Sequence, residues 1–143
     1  MPAEILGSLH ANADSTSLPL YPEVACGFPS PAEPYAEQRL SLDELVRVRE
    51  PSTFLVRAAG DSMVEAGIHD GDVIVVDRAR EARHGDVVVA CLDDQFTVKR
   101  LHLAPGKVIL EPANRNHSPR VISEGEELLI WGVCTWNLHR LSP

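Results

Sequence analysis

The sequence predicts a mostly β protein: one compact domain of short strands and hairpins, preceded by a proline-rich extended arm and one short helix. Three observations carry this. Pro19, Pro22, Pro29, Pro31 and Pro34 crowd the stretch between positions 19 and 34. From residue 53 onward, short apolar runs alternate with Gly/Asp turn signals. A chain of 143 residues, 44% apolar and 24% charged, is the size of one domain with a core of its own.

The arm occupies residues 1–38. Proline lacks a backbone donor and restricts the residue before it to extended geometry, so this stretch is neither a long helix nor a central strand. It holds Pro2 as well and has no Lys or Arg before Arg39. Residues 39–143 form the domain. Ser41 and Glu44 make an S-x-x-E capping box ahead of Leu45, Val46 and Val48, and Pro51 closes a helix of about two turns. Strands follow at Thr53–Ala58, Asp72–Asp77, Val87–Leu92, Gln95–Leu101, Val108–Leu110 and Leu128–Asn137. His84-Gly85-Asp86 is a turn, and Asp93-Asp94 joins two strands as a hairpin. Strands this short and this closely spaced suit a sandwich or barrel-like arrangement, with aliphatic side chains filling the core because Phe, Tyr and Trp are few.

Charge and composition narrow the function. The net charge is -8 and no run of Lys/Arg exceeds two residues, which argues against direct nucleic-acid binding. Cys26, Cys91 and Cys134 are odd in number and far apart, so neither a disulfide framework nor a zinc site is expected, and no other metal or cofactor is called for. No apolar run approaches the ~20 residues that span a bilayer. With no basic start and apolar core of a signal peptide either, the cytoplasm is the expected location.

Two residues stand out chemically. Gly60-Asp61-Ser62-Met63 lies between a strand and Gly67-Ile68-His69-Asp70-Gly71-Asp72. A glycine-rich bend can project a serine toward a carbonyl, with neighbouring backbone N–H groups to hold the oxyanion. Gly-Asp-Ser is also an ordinary turn triplet, in which the serine bonds its own backbone. Lipases and esterases that share G-D-S pair it with Asp-x-x-His, whereas here Trp136 stands three residues before His139 and Asn114 three before His117. A Ser–His–Asp triad in another order stays open. His10, His69, His84 and His102 read as surface or turn residues.

Among thirteen basic residues only Lys99 and Lys107 are lysine. Arginine does not give up its proton, so only lysine can serve as a base. Lys107 follows Pro105-Gly106 and reads as a solvated turn residue. Lys99, in Phe96-Thr97-Val98-Lys99-Arg100, shares a strand face with Thr97 and Leu101. A base near neutrality needs its pKa lowered from about 10.4 to about 7–8, at a cost of about 4 kcal/mol, which burial can impose. The plainer reading is an exposed lysine at the end of a hairpin.

Taken together, Gly60–Met63, the Gly67–Asp72 continuation, Phe96–Arg100 and the interval from Ser62 to Lys99 resemble the UmuD/LexA family of self-cleaving serine–lysine peptidases. Ala25-Cys26-Gly27-Phe28-Pro29-Ser30-Pro31-Ala32 resembles the cleavage segment of the UmuD branch, and Glu111-Pro112-Ala113-Asn114 resembles the strand after the lysine. The resemblance runs from about residue 24 to the C-terminus. It implies a fold like the LexA C-terminal domain, Ser62 as nucleophile, Lys99 as general base, Asp61 and Ser62 as backbone oxyanion donors, and Cys26–Gly27 as the scissile bond. It further implies a homodimer, cleavage stimulated by a RecA–single-stranded-DNA filament, and a shortened product that serves a UmuC-like Y-family polymerase in the SOS response. The short arm, in place of a helix-turn-helix domain, favours this over a truncated LexA-type repressor. A non-cleaving binding module is the other alternative, and the lack of a membrane segment counts against a signal peptidase.

Overall fold

In the computed structural model of the chain, residues 16–21, 24, 26–27 and 38–143 are described. Pro2, Pro22, Pro29, Pro31, Pro34 and His10, with most of the cleavage segment and of the arm, lie outside the described residues. Two compact units are present, residues 1–49 and 50–143.

The first unit holds a two-stranded antiparallel ladder, β1 (Leu18–Leu20) with β2 (Gln38–Leu40), in which Pro19 faces Arg39. A two-stranded ladder has only edges, the one place where a strand accommodates proline. Arg39 fixes the pair by donating from Nε to Ser17 Oγ and from Nη2 to the Ser17 carbonyl. This ladder was not expected within the arm. Helix α1 (Leu42–Leu45) is capped as expected, with Ser41 Oγ accepting the Glu44 N–H at 3.4 Å. It is one turn long rather than two. None of its residues is buried, so no packed face extends it, and Arg47 leaves the helical region at φ 61°.

The second unit is one seven-stranded antiparallel sheet in the order β3 (Thr53–Arg57), β4 (Val73–Asp77), β9 (Leu128–Leu138), β5 (Val87–Leu92), β6 (Gln95–Ala104), β7 (Lys107–Glu111), β8 (Arg120–Val121). All six predicted strands are present, within a few residues of their expected ends. β8, two residues long, was not expected. Leu92 and Gln95 pair across Asp93-Asp94, and both aspartates take positive φ, as a two-residue hairpin turn demands.

The unbroken apolar runs have a direct cause. On β5, Val89 belongs to a core with Ala58, Met63, Ile68, Ile74 and Val76, while Val88 and Ala90 belong to a second core with Leu101, Leu110 and Val133. Alternate residues point to opposite faces, so a strand buried on both has no polar position to spare. The cores are aliphatic apart from Met63, and Phe54, Phe96 and Trp136 stay exposed. No helix among the described residues is long and apolar enough to cross a membrane.

Two features hold the part of the sheet that carries the site. Gly132 on β9 lies beside β4, where an added Cβ would stand 2.5 Å from Val76 Cγ1 and 3.2 Å from the Asp77 carbonyl. Asp72, 4% exposed, immediately precedes β4. Its carboxylate accepts from the His69 N–H at 2.8 Å, Asn137 Nδ2 at 2.7 Å and His139 Nδ1 at 2.6 Å. Burial works to raise its pKa, but the bonds from Asn137, His139 and His69 outweigh it and lower the value to about 2.

Gly132→Ala should therefore destabilise the fold by about 1–3 kcal/mol, the usual penalty for overpacking a core, read as a lower urea midpoint. The Asp72 carboxyl titrates below its ordinary value of 3.8, so its stabilisation is present above about pH 4 and is lost as pH falls toward 2. The melting-temperature gap between wild type and Asp72→Asn should narrow over that window. A gap constant from pH 5 to pH 2 would contradict this.

Candidate active site

The segment between β3 and β4 lies over the first core. Ala58, Met63 and Ile68 point inward, 8%, 4% and 8% exposed, and act as three anchors along the loop. Gly60 turns the chain at φ 90°, and its N–H donates to Asp70 Oδ1 at 2.8 Å. A 3-10 turn at Val64–Ala66 ends on Gly67 at φ 84°. Ser62 therefore stands on a bend fixed from below by Met63, with its hydroxyl free to face a cleft.

That cleft has a volume of about 220 Å³ and lies between this loop and β6, with Val56, Ala58, Met63, Ile68, Val89 and Val98 supplying apolar wall. Lys99 enters it from β6. Its Nζ donates to Ser62 Oγ at 3.0 Å, Thr97 Oγ1 at 2.8 Å and the Val98 carbonyl at 3.1 Å. The three partners match the three protons of an ammonium. Burial among the apolar walls lowers the Lys99 pKa below the ordinary lysine value. Once neutral, Nζ can still donate to Thr97 and Val98, and its lone pair then accepts the Ser62 O–H proton. The geometry therefore pairs a hydroxyl with an amine that loses its proton more readily than an exposed lysine does.

Lys107 is exposed at the β6–β7 turn. The backbone N–H groups of Asp61 and Ser62 donate to no group among the described residues. Cys26 and Gly27 lie in the first unit, both exposed, at a bend. His139 pairs with Asp72, and His117 Nε2 lies 2.9 Å from Asp61 Oδ1. Lys99 is the side chain that bonds Ser62 Oγ among the described residues, and no histidine does so. No cluster of His, Cys, Asp and Glu among the described residues is placed to hold a metal.

The sequence reading missed the support beneath the serine. Ala113 N–H donates to the Ser62 carbonyl at 2.7 Å, and Asn114 Nδ2 donates to the Asp61 carbonyl at 2.8 Å. Asn114 was marked only as part of a resembling segment. Nothing local in the sequence points from it to Asp61, 53 positions away.

Because the chain has only two lysines, the Lys99 side-chain signal can be assigned and followed by NMR. Its titration midpoint should lie clearly below the ordinary lysine value of 10.5. A midpoint at the ordinary value would mean that the cleft does not desolvate Lys99.

The Peptidase S24-like family matches residues 19–135. Protein ImpA of Salmonella typhimurium is 45% identical over 128 residues, 89% of this chain and 87% of that one. Protein MucA of Escherichia coli is 47% identical over 125 residues, 85% of this chain and 84% of that one. LexA repressor 1 of Xanthomonas oryzae pv. oryzae is 38% identical over 117 residues, which cover 82% of this chain and 58% of the repressor. With a serine and a lysine in hydrogen-bond contact at the centre of the matched region, the chain belongs to the Peptidase S24-like family, as a self-cleaving serine peptidase of the UmuD type that serves SOS mutagenesis.

Proposed function

We propose that Ser62 and Lys99 carry the self-cleavage and that the bond they cut is Cys26–Gly27. The observation that supports this most directly is the 3.0 Å contact between Lys99 Nζ and Ser62 Oγ in a cleft that disfavours the lysine charge. Neutral Lys99 removes the Ser62 proton as Oγ attacks the Cys26 carbonyl carbon. The oxyanion that forms is held by the Asp61 and Ser62 N–H groups. Its collapse breaks the C–N bond, and the Lys99 ammonium gives its proton to the departing Gly27 amine. Lys99, neutral again, takes a proton from water as the water attacks the Cys26 ester. Residues 1–26 leave with a carboxylate at Cys26, and Ser62 regains its hydroxyl.

In this reading residues 1–38 are the arm that is cut, and residues 39–143 are the peptidase domain, carried within the shortened product that becomes the polymerase accessory subunit. The cut requires Cys26–Gly27 to be held in the cleft, and fixing each residue of a docked segment costs about 1 kcal/mol or more. A RecA filament on single-stranded DNA speeds the reaction by favouring the docked arm rather than by adding a catalytic group. The shortened form, as a homodimer, then joins a UmuC-like Y-family polymerase. Apolar walls and a small volume suit the cleft to an extended peptide with small residues at the bond, as Cys26 and Gly27 are.

Cleavage should leave a fragment of 117 residues, 27–143, that begins Gly-Phe-Pro. Ser62→Ala and Lys99→Ala should each abolish it with the fold intact, since residues that act as a unit lose nearly all rate when either is removed. Lys99→Arg should be equally inactive, because arginine keeps its proton. Mass spectrometry after incubation at alkaline pH, and with RecA, single-stranded DNA and a nucleotide, reads all of these. A cut elsewhere, or appreciable cleavage by Lys99→Arg, would overturn the assignment.

A further inference from the structure

We infer that Asn114 is a positioning residue for the oxyanion site, acting through the peptide between Asp61 and Ser62. The inference rests on Ser62 being the nucleophile, and it assigns a task to a residue outside the cleft.

The segment after β7 forms the support on which the serine bend rests. Glu65 N–H donates to the Ala113 carbonyl at 2.8 Å, and Ala113 N–H donates to the Ser62 carbonyl at 2.7 Å. Asn114 Nδ2 donates to the Asp61 carbonyl at 2.8 Å. Both carbonyls that flank Ser62 in the chain are therefore held by residues 113 and 114. Two outer contacts, Arg115 with Glu65 and His117 with Asp61, are solvent-exposed and contribute little by themselves. Asn114 differs from these in being 8% exposed.

The consequence follows from peptide geometry. In a planar trans peptide the C=O and N–H point in opposite directions. When Asn114 draws the Asp61 carbonyl toward itself, it turns the Ser62 N–H away from itself, and that N–H donates to no group among the described residues. Oxyanion stabilisation depends on a donor being fixed before charge develops, so the orientation of this one plane governs the rate. Asparagine suits the task because its two ends do different work. Nδ2 donates to Asp61, while Oδ1 accepts the Asn116 N–H at 2.9 Å and fixes the amide's own orientation. Asn114 makes no bond to Lys99, whose three partners are Ser62, Thr97 and the Val98 carbonyl.

Two substitutions separate this role from simple closure of the loop. Asn114→Ala removes both ends. Asn114→Asp keeps the acceptor for Asn116 but cannot donate to Asp61 when ionised. Self-cleavage is followed as a first-order rate against pH, below each variant's melting temperature, beside wild type and Ser62→Ala. Both variants should lower the alkaline plateau by about tenfold to a hundredfold, since misplacing a reacting group by about 1 Å can cost about a hundredfold. The Ala variant should keep the wild-type midpoint. If Asn114→Ala does not fold, Asn114→Asp carries the test, since it retains the turn bond. An Asp variant that cleaves within about twofold of wild type at the plateau would overturn the inference, because the loop would then need only the acceptor. A loss in the Ala variant that disappears at higher pH would also overturn it, by placing the effect on Lys99. Cleavage by Ser62→Ala in the same series would instead overturn the reading on which the inference rests.

Discussion

The structure is organised around a lysine held in a place that disfavours its charge. Lys99 Nζ reaches Ser62 Oγ only because β6 carries it into an apolar cleft, and because the opposing loop is anchored by Met63 and Ile68. Each requirement pulls against the other. The bonds to Ser62, Thr97 and the Val98 carbonyl favour the ammonium, while the walls of Val56, Val89 and Val98 favour the amine. Burial prevails in direction and lowers the lysine pKa. A fully exposed lysine would stay charged near neutrality, and a lysine with no polar partners would be hard to hold in place.

The rest of the second unit can be seen as the frame that keeps this contact. β6 is locked between β5 and β7, so the register that places Lys99 opposite Val88 also places Thr97 on the same side as the amine. The serine bend is held from three directions: the Gly60 N–H on Asp70, the Asp72 carboxylate gathering His69, Asn137 and His139, and the Ala113–Asn114 pair beneath. Most of these bonds are part-buried and tie the loop to distant segments, which is what allows a loop rather than a strand to hold the Ser62 hydroxyl in fixed geometry.

How far the sequence carried depended on the range of each interaction. Val73–Asp77 and Val87–Leu92 were legible because burial on both faces writes an unbroken apolar run. The Asp93-Asp94 turn was legible because two-residue hairpins restrict their residues so strongly. β1, β2 and β8 were not, since two or three residues carry no period to detect and the pairing of Leu18 with Leu40 lies outside any local window. The length of α1 was overread because the capping box marks where a helix begins and says nothing of whether a packed face will extend it. At the site, residue chemistry singled out Ser62 and Lys99 separately, but joining them took the resemblance to a known family. The Asn114–Asp61 bond left no trace, because an asparagine near a turn has many local uses.

In the proposed mechanism the proton on Lys99 controls the reaction. The decisive measurement is the rate of self-cleavage by the wild-type chain across pH, set against the titration of Lys99 in the same buffers. The rate should rise with pH to a plateau, with a midpoint that coincides with that of Lys99 and lies below the ordinary lysine value. A rate independent of pH through the Lys99 transition, or one governed by a group that titrates elsewhere, would contradict it.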